Sequence, residues 1–150
     1  MKIRLQRTNS DNKDFRDLVR ELDDELKTRD GKEHSFFAQF NKIDNIRYVI
    51  VAYENNEPVG CGSIKQFAEN VMEIKRMFVL REKRGRGIAS LVLQELETWC
   101  KELNCGKCIL ETGERQPEAI QLYKRNNYNI IPNFGQYANV QSSVCFEKEL

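Results

Sequence analysis

The sequence predicts an α/β fold, a central mixed but mostly antiparallel sheet flanked by helices. Three β-rich segments between residues 48 and 79 are joined by short polar turns, which indicates an antiparallel meander. A long amphipathic segment follows, and a connection of that length allows a crossover to a parallel strand. With 150 residues and no repeat or linker to divide them, we expect residues 1–150 to form a single domain.

The N-terminal half is predicted to contain a strand, two helices and the meander. A strand is predicted at residues 1–6, with Ile3 and Leu5 facing inward. Residues 8–11 are typical of a helix N-cap and precede apolar residues at helical spacing, which predict the first helix. A second, shorter helix fits the helical spacing of further apolar residues, although a mobile apolar flap fits it too. Those residues are Phe36, Phe37, Phe40 and Ile43. The meander strands are predicted at 48–53, 59–67 and 71–79.

The C-terminal half alternates helices and strands. The apolar spacing predicts a long helix over 88–103, a strand over 107–112, and a helix that begins at Pro117. Two final strands are predicted at 128–131 and 140–146, joined by a loop with two aromatic residues that we expect to be exposed. The predicted order is therefore β-α-α-β-β-β-α-β-α-β-β.

A basic, glycine-rich turn separates the strand at 71–79 from the long helix. The turn is Arg84-Gly85-Arg86-Gly87, and the helix begins directly after it. The first amides of a helix have no intrahelical acceptor and lie at the positive end of its dipole, so they bind anions. The glycines allow a close approach, and Arg81 and Lys83 add positive charge. The sequence therefore predicts a pyrophosphate ligand.

Two segments carry a resemblance to a known family. Arg84-Gly85-Arg86-Gly87-Ile88-Ala89 resembles the signature of the GCN5-related N-acetyltransferases (GNAT superfamily): Arg or Gln, two residues, Gly, one residue, then Gly or Ala. The segment 119–128, AIQLYKRNNY, resembles the family's A-x-x-L-Y-x-x-x-G-F/Y segment. The order of elements is also similar across nearly the whole chain. The resemblance implies an acetyl-CoA-dependent N-acetyltransferase with a GNAT-like fold.

The resemblance implies a location for acetyl-CoA, in an opening between the strand at 71–79 and the next parallel strand. The pantetheine would bind backbone groups of the strand and the pyrophosphate would bind the turn, and no metal is required. Gln116 replaces a family Asn that often contacts the cofactor, and Asn127 replaces a common Gly. The residues expected to bind the cofactor are Met77, Phe78, Val79, Arg84, Gly85, Arg86, Gly87, Ile88, Ala89, Ser90, Gln116 and Tyr123.

Two catalytic residues follow from the same resemblance. Tyr123 occupies the position that the family often uses as general acid, and its alternative role is that of a core tyrosine. Glu73 lies eleven residues before Arg84, the separation seen in histone-acetylating members for the catalytic base. A base is useful because amines are protonated at neutral pH. The alternatives are a strand carboxylate that pairs with Lys75 or Arg76 or simply faces solvent, and a water as the effective base.

The acceptor is expected to be a primary amine of a small or amino-acid-like molecule, which attacks the thioester directly through a tetrahedral intermediate. Its pocket is expected to involve the early helices and the late loop, with four aromatic candidates. These are Phe36, Phe37, Phe134 and Tyr137. The alternative function is a non-catalytic acyl-CoA-binding or sensor module. The sequence leaves a homodimer open.

Charge and composition argue against several other classes. Lys plus Arg is 24 and Asp plus Glu is 23, so the net charge of +1 provides no general attraction to nucleic acid or membrane. The R-G-R-G stretch is too short for RNA binding, and a dinucleotide fingerprint would need a third glycine. No run of apolar residues approaches the roughly 18 that a membrane span needs. We expect a cytoplasmic protein.

Five cysteines include a C-x-x-C pair at Cys105 and Cys108. Such a pair occurs in zinc and redox sites, but this one follows a helix, lacks a second pair, and has only His34 in the whole chain as an imidazole ligand. An odd cysteine count in apolar segments is typical of reduced thiols. The favoured interpretation is therefore a set of buried structural thiols.

Overall fold

The computed structural model describes residues 2–30 and 45–150. The predicted second helix at residues 36–43, with the candidates Phe36 and Phe37, lies outside these residues. The elements are β1 (Ile3–Thr8), α1 (Lys13–Asp30), β2 (Tyr48–Glu54), β3 (Glu57–Ala68), β4 (Val71–Val79), α2 (Ile88–Glu102), β5 (Lys107–Gly113), α3 (Pro117–Arg125), β6 (Asn129–Ile131) and β7 (Ser143–Glu149). Among the described residues, no helix has the length and apolar character needed to cross a membrane.

The strands form one seven-stranded sheet in the order β1-β2-β3-β4-β5-β7-β6. Every neighbouring pair is antiparallel except β4 and β5, which are parallel. The predicted meander and the crossover through α2 are therefore confirmed. The last strand begins at Ser143 rather than at Val140, because Val140 belongs to a turn in which its amide donates to the carbonyl of Tyr137.

The core lies on both faces of the sheet. Along β2, Val49 and Val51 pack with α1, whereas Ile50 and Ala52 pack with α2, as the alternation of side chains in a strand requires. A strand that is buried on both faces has a nearly continuous run of apolar residues, and the sequence of β2 shows this pattern. The helices therefore hold the sheet from opposite sides.

The five cysteine side chains are buried, as predicted. The sulfurs of Cys100 and Cys108 lie 3.4 Å apart in the core beneath α2. Within residues 2–30 and 45–150, no cluster of three or more His, Cys, Asp or Glu side chains is arranged to hold a metal ion. Burial raises the pKa of the Cys61 thiol to about 12, which keeps this thiol protonated at neutral pH.

Candidate active site

The strands β4 and β5 separate part-way along their length. They are paired only from Val71 with Lys107 to Glu73 with Ile109. Beyond Glu73, β4 keeps its antiparallel partner β3 but is no longer paired with β5. This divergence leaves one edge of β4 unpaired over residues 74–79 and creates the opening that the sequence predicted between the two strands.

A bulge interrupts β4 within this free stretch. The register with β3 shifts between Cys61 and Ser63, and Arg76 adopts a left-handed conformation with a φ of 60°. A non-glycine residue in that region costs about 1–3 kcal/mol, so the surrounding structure must hold it in place. The bulge bends the strand and redirects the side chains that follow.

A groove of about 540 Å³ runs from the free edge of β4 to the start of α2. It brings together eleven of the twelve residues predicted to bind the cofactor. They are Met77, Phe78, Val79, Arg84, Gly85, Gly87, Ile88, Ala89, Ser90, Gln116 and Tyr123. Arg86 is not among the lining residues, because its guanidinium pairs with Glu54 on β2 at 3.0 Å.

The turn before α2 has the geometry of an anion site. Gly85 and Gly87 have φ values of 81° and 83°, in the left-handed region that favours glycine. The first intrahelical bond of α2 runs from the Leu91 amide to the Gly87 carbonyl, so the amides before Leu91 have no acceptor in the helix. Apart from each glycine and its chain neighbours, no heavy atom of the described residues lies within 4 Å of a Cβ built on either glycine. The turn is therefore open to a ligand.

The basic side chains around this turn are paired with two carboxylates. Glu25 on α1 binds Arg84 at 2.9 Å and Arg81 at 3.6 Å. Glu54 binds Lys83 at 2.7 Å in addition to Arg86, and these cations hold the pKa of Glu54 below its usual value. Since four cations share two carboxylates, the turn keeps a positive charge, but less than the sequence suggested.

Arg84 has a positioning role that the sequence did not reveal. Its Nε donates to the Val79 carbonyl at 2.9 Å, and its guanidinium lies 5.5 Å from the centre of the Phe78 ring. Together with the ion pair to Glu25, these contacts tie the turn to the end of β4 and to α1. The side chain therefore fixes the shape of the turn as well as contributing charge.

Tyr123 on α3 lies between the groove and a smaller cavity of about 100 Å³. The residue is 6% exposed and its ring packs against Tyr128 and Phe146, so it also belongs to the core. Burial, followed by the charge of Glu111, raises the pKa of the phenol. The hydroxyl is thus protonated at neutral pH and can donate a proton.

Glu73 lines the same small cavity and is 7% exposed. Its Oε2 lies 3.5 Å from the Nζ of Lys75, two residues along the strand and on the same face. The pairing with Lys75 that the sequence offered as an alternative is therefore present. It does not remove Glu73 from the site, because the carboxylate and Tyr123 still line a common cavity.

The cavity contains charged residues that the sequence analysis did not assign to the acceptor site. Glu111 on β5 accepts a hydrogen bond from the Ser143 hydroxyl at 2.6 Å, and Arg76 and Lys75 also contribute to the walls. Glu111 follows the paired part of a parallel strand, and ligands bind at the carboxyl ends of such strands. The position of Glu111 near the carboxyl end of a predicted parallel strand could therefore have identified it from the sequence.

The two late aromatic candidates have different positions. Tyr137 lines the cavity and is 1% exposed, which corrects the expectation of an exposed loop aromatic. Burial, then the charges of Glu111 and Glu73, raises the pKa of its phenol. Phe134 is not part of the cavity wall, and its ring contacts Phe67 and Tyr137 at centroid distances of 5.3 and 5.8 Å. Phe134 therefore packs against the Tyr137 ring without lining the cavity itself.

A family model described as the acetyltransferase (GNAT) family matches residues 12–128. The chain belongs to this family. The GNAT match spans both segments that carry the resemblance, the turn at 84–89 and the segment at 119–128. A relative from Azospirillum brasilense named IAA acetyltransferase is 31% identical over 136 residues, which is 89% of this chain and 88% of that protein.

Solved structures share the fold of this GNAT protein over nearly its full length. A Klebsiella pneumoniae protein, described as a candidate acyl-CoA N-acyltransferase, aligns with a TM-score of 0.83 and 28% identity over 99% of this chain and 97% of that one. The PaiA N-acetyltransferase of Thermoplasma acidophilum, solved with coenzyme A, aligns with a TM-score of 0.74 over 100% of both chains. Its identity is 17%, so it shows the fold alone.

Family membership makes the protein an acetyl-CoA-dependent acetyltransferase, and its described residues fit that co-substrate. The free edge of β4 offers backbone groups along the groove, and the left-handed glycines leave the turn open. The unpaired amides at the start of α2 and the net positive charge suit a pyrophosphate. Tyr123 lies where the groove meets the small cavity.

Proposed function

We propose that this acetyltransferase transfers the acetyl group to a primary amine of a small or amino-acid-like acceptor. The observation that carries the proposal is the shared boundary of the groove and the small cavity, where Tyr123 belongs to both and Glu73 lines the cavity. A cofactor in the groove and an acceptor in the cavity would meet at this boundary. Gln116 and Met77 also line both spaces.

The binding roles follow the elements. Acetyl-CoA supplies an activated acetyl thioester. The free edge of β4 holds the pantetheine arm through residues 77–79, as an added strand would be held. The amides at the start of α2 and the left-handed Gly85 and Gly87 bind the pyrophosphate. A backbone amide near Phe78 or Val79 donates to the thioester carbonyl and stabilises the oxyanion that develops on it.

The two side chains move the protons. Glu73 accepts a proton from the acceptor ammonium, directly or through a water, and so produces the neutral amine that attacks the thioester. The attack forms the C–N bond and moves the carbonyl electron pair to oxygen, and collapse of this tetrahedral intermediate breaks the C–S bond, whose electron pair leaves with sulfur. Tyr123, protonated because of its burial, gives its proton to the departing thiolate. The tyrosinate then takes the extra proton from the acylated nitrogen, which becomes the neutral amide, and Glu73 releases its proton to water.

A thiol-release assay with acetyl-CoA against amines, amino acids, polyamines and peptide N-termini tests this function. We expect acceptor-dependent release of coenzyme A with at least one class of primary amine. Tight acetyl-CoA binding with no release for any member would instead support the non-catalytic acyl-CoA-binding module.

Glu73→Gln provides the matching test of the base. It keeps the shape of the side chain but cannot accept the proton, so we expect kcat/KM for the amine to fall about tenfold or more while acetyl-CoA binding is kept. Glu69→Gln, an exposed change in the turn between β3 and β4, is the control and should keep wild-type activity. Equal activity of Glu73→Gln and wild type would remove Glu73 from the mechanism.

A further inference from the structure

Arg76 is a buried cation in the wall of the small cavity. The residue is 8% exposed, and its side chain is 4% exposed. It stands in the bulge of β4 and lines the cavity together with Glu73, Glu111 and Tyr137. Charged side chains are seldom buried to this extent unless their donors and charge are satisfied.

The donors of Arg76 are only partly satisfied. Within residues 2–30 and 45–150, the one hydrogen bond of its guanidinium runs from Nη1 to Asp23 Oδ1 at 2.8 Å. Asp23 is 46% exposed, so water weakens this pairing. The Nε of Arg76 is buried and has no acceptor, and it is the only buried side-chain nitrogen or oxygen in the described residues left in that state. A guanidinium presents five donors, and the hydrogen bond to Asp23 uses one of them.

The charges of the cavity have both signs. Glu73 and Glu111 are acidic, and Glu73 is within 3.5 Å of Lys75. Arg76 provides a second, permanently charged cation on the same walls. A small molecule that carries an ammonium and a carboxylate matches this arrangement, because each of its charges finds the opposite charge in the same cavity. A plain alkylamine has no group to pair with Arg76.

We propose that the acceptor is an amino carboxylate whose carboxylate binds the guanidinium of Arg76 in the cavity wall. Guanidinium and carboxylate have matching planar forks, so the pair is both strong and directional. The carboxylate of the acceptor would be held at β4 while its amine lies towards Glu73. This inference rests on the proposed function and narrows its acceptor from small or amino-acid-like primary amines to those that carry a carboxylate.

A structural role for Arg76 predicts different behaviour. The ion pair with Asp23 joins β4 to α1, and its loss would weaken the fold whatever the acceptor. A structural arginine would therefore change activity equally for acceptors with and without a carboxylate. Recognition of the carboxylate instead changes the ratio of the activities with the two kinds of acceptor. This ratio does not depend on how much folded enzyme is present.

The experiment measures thiol release by the wild-type protein with matched acceptor pairs. The pairs are the L-amino acids, β-alanine and 4-aminobutyrate, each compared with its own carboxamide. We expect kcat/KM for the best acceptor to exceed that of its amide by about ten- to a hundredfold, the effect of a charge-assisted hydrogen-bonded pair, with most of the difference in KM. Equal values for acid and amide would overturn the inference but keep the proposed function. No release with any amine would overturn both.

Arg76→Gln tests the residue directly. We expect it to lower kcat/KM for the acid about ten- to a hundredfold and to leave the amide nearly unchanged, so that the preference disappears. Arg20→Gln removes an arginine whose side chain is 74% exposed on α1, and should keep the preference. A preference retained in Arg76→Gln would overturn the assignment to Arg76. If that variant does not fold, the wild-type pairs still decide whether a carboxylate is recognised.

Discussion

Burial, and then the negative charge of Glu111 on β5, raises the pKa of Tyr123 on α3. The tyrosine that belongs to the hydrophobic core thus keeps its proton at neutral pH, and it lies at the boundary of the groove and the small cavity. A buried core tyrosine and a general acid were alternatives at the level of the sequence. The structure makes them compatible, because burial is the main reason why the phenol keeps its proton.

Replacing Tyr123 by Phe removes the proton donor and keeps the ring that packs against Tyr128 and Phe146. We expect kcat to fall by roughly ten- to several-hundred-fold, because the thiolate must leave without a positioned acid. Steady-state kinetics measures kcat, and calorimetry with acetyl-CoA should show little change in affinity. Wild-type turnover in the variant would exclude Tyr123 as the acid.

The same substitution has an effect on alkaline stability. Burial is the first cause of a raised pKa for Tyr53, Tyr123, Tyr128 and Tyr137. Since these pKa values are higher in the folded state than the ordinary 10.0, the stabilisation is complete below pH 10 and is lost as pH rises further. Above pH 10, each tyrosine contributes a slope of about −1.4 kcal/mol per pH unit to the unfolding free energy.

We therefore expect the unfolding free energy of Tyr123→Phe to fall less steeply above pH 10 than that of the wild type. The two slopes should differ by about 1.4 kcal/mol per pH unit, the value for one titrating group. Urea titrations between about pH 9 and pH 11.5 measure the slope. Buried cysteines also titrate in this range, but they are common to both proteins, so the difference isolates Tyr123. Parallel curves would show that its phenol titrates alike in the folded and unfolded states.

An acidic substitution at Gly87 is expected to weaken coenzyme A binding mainly through its negative charge. Gly87 caps α2 with a φ of 83°, and Asn tolerates that conformation better than other non-glycine residues. Gly87→Asp and Gly87→Asn add side chains of nearly equal size, and only the first adds a negative charge at the proposed pyrophosphate site. We expect the Asp variant to bind coenzyme A at least about tenfold more weakly than the Asn variant by calorimetry. Equal affinities would place the phosphates elsewhere.

Glu54 is expected to weaken the attraction of the turn for phosphate, because it pairs with Lys83 and Arg86. Glu54→Gln should tighten coenzyme A binding about two- to fivefold at low ionic strength, and the gain should shrink in about 0.5 M NaCl as screening increases. Glu57→Gln, an exposed change in the same hairpin, is the control. Tightening that persists at high salt, or none at low salt, would contradict this electrostatic explanation.

The features that follow from local sequence were predictable. Alternation and helical spacing report which face of a segment is buried, so the meander, the crossover and α3 could be derived from residues alone. Residue type also predicted the backbone at special positions. Gly85, Gly87 and Asn127 all adopt positive φ values, as their side chains allow. Arg76 also has a positive φ, and nothing in its residue type announces the bulge.

By itself, then, the sequence determined the order of the described elements and the glycine-rich turn before α2, and the family resemblance singled out Tyr123. Only the tertiary structure decided which charges meet: Glu25 and Glu54 at the basic turn, and Glu73, Glu111 and Arg76 around one cavity. The physical reason is that periodicity is a property of a single segment, whereas an ion pair or a cavity depends on the register between segments far apart in the chain. The unsatisfied donor of Arg76 appears only once those segments are packed.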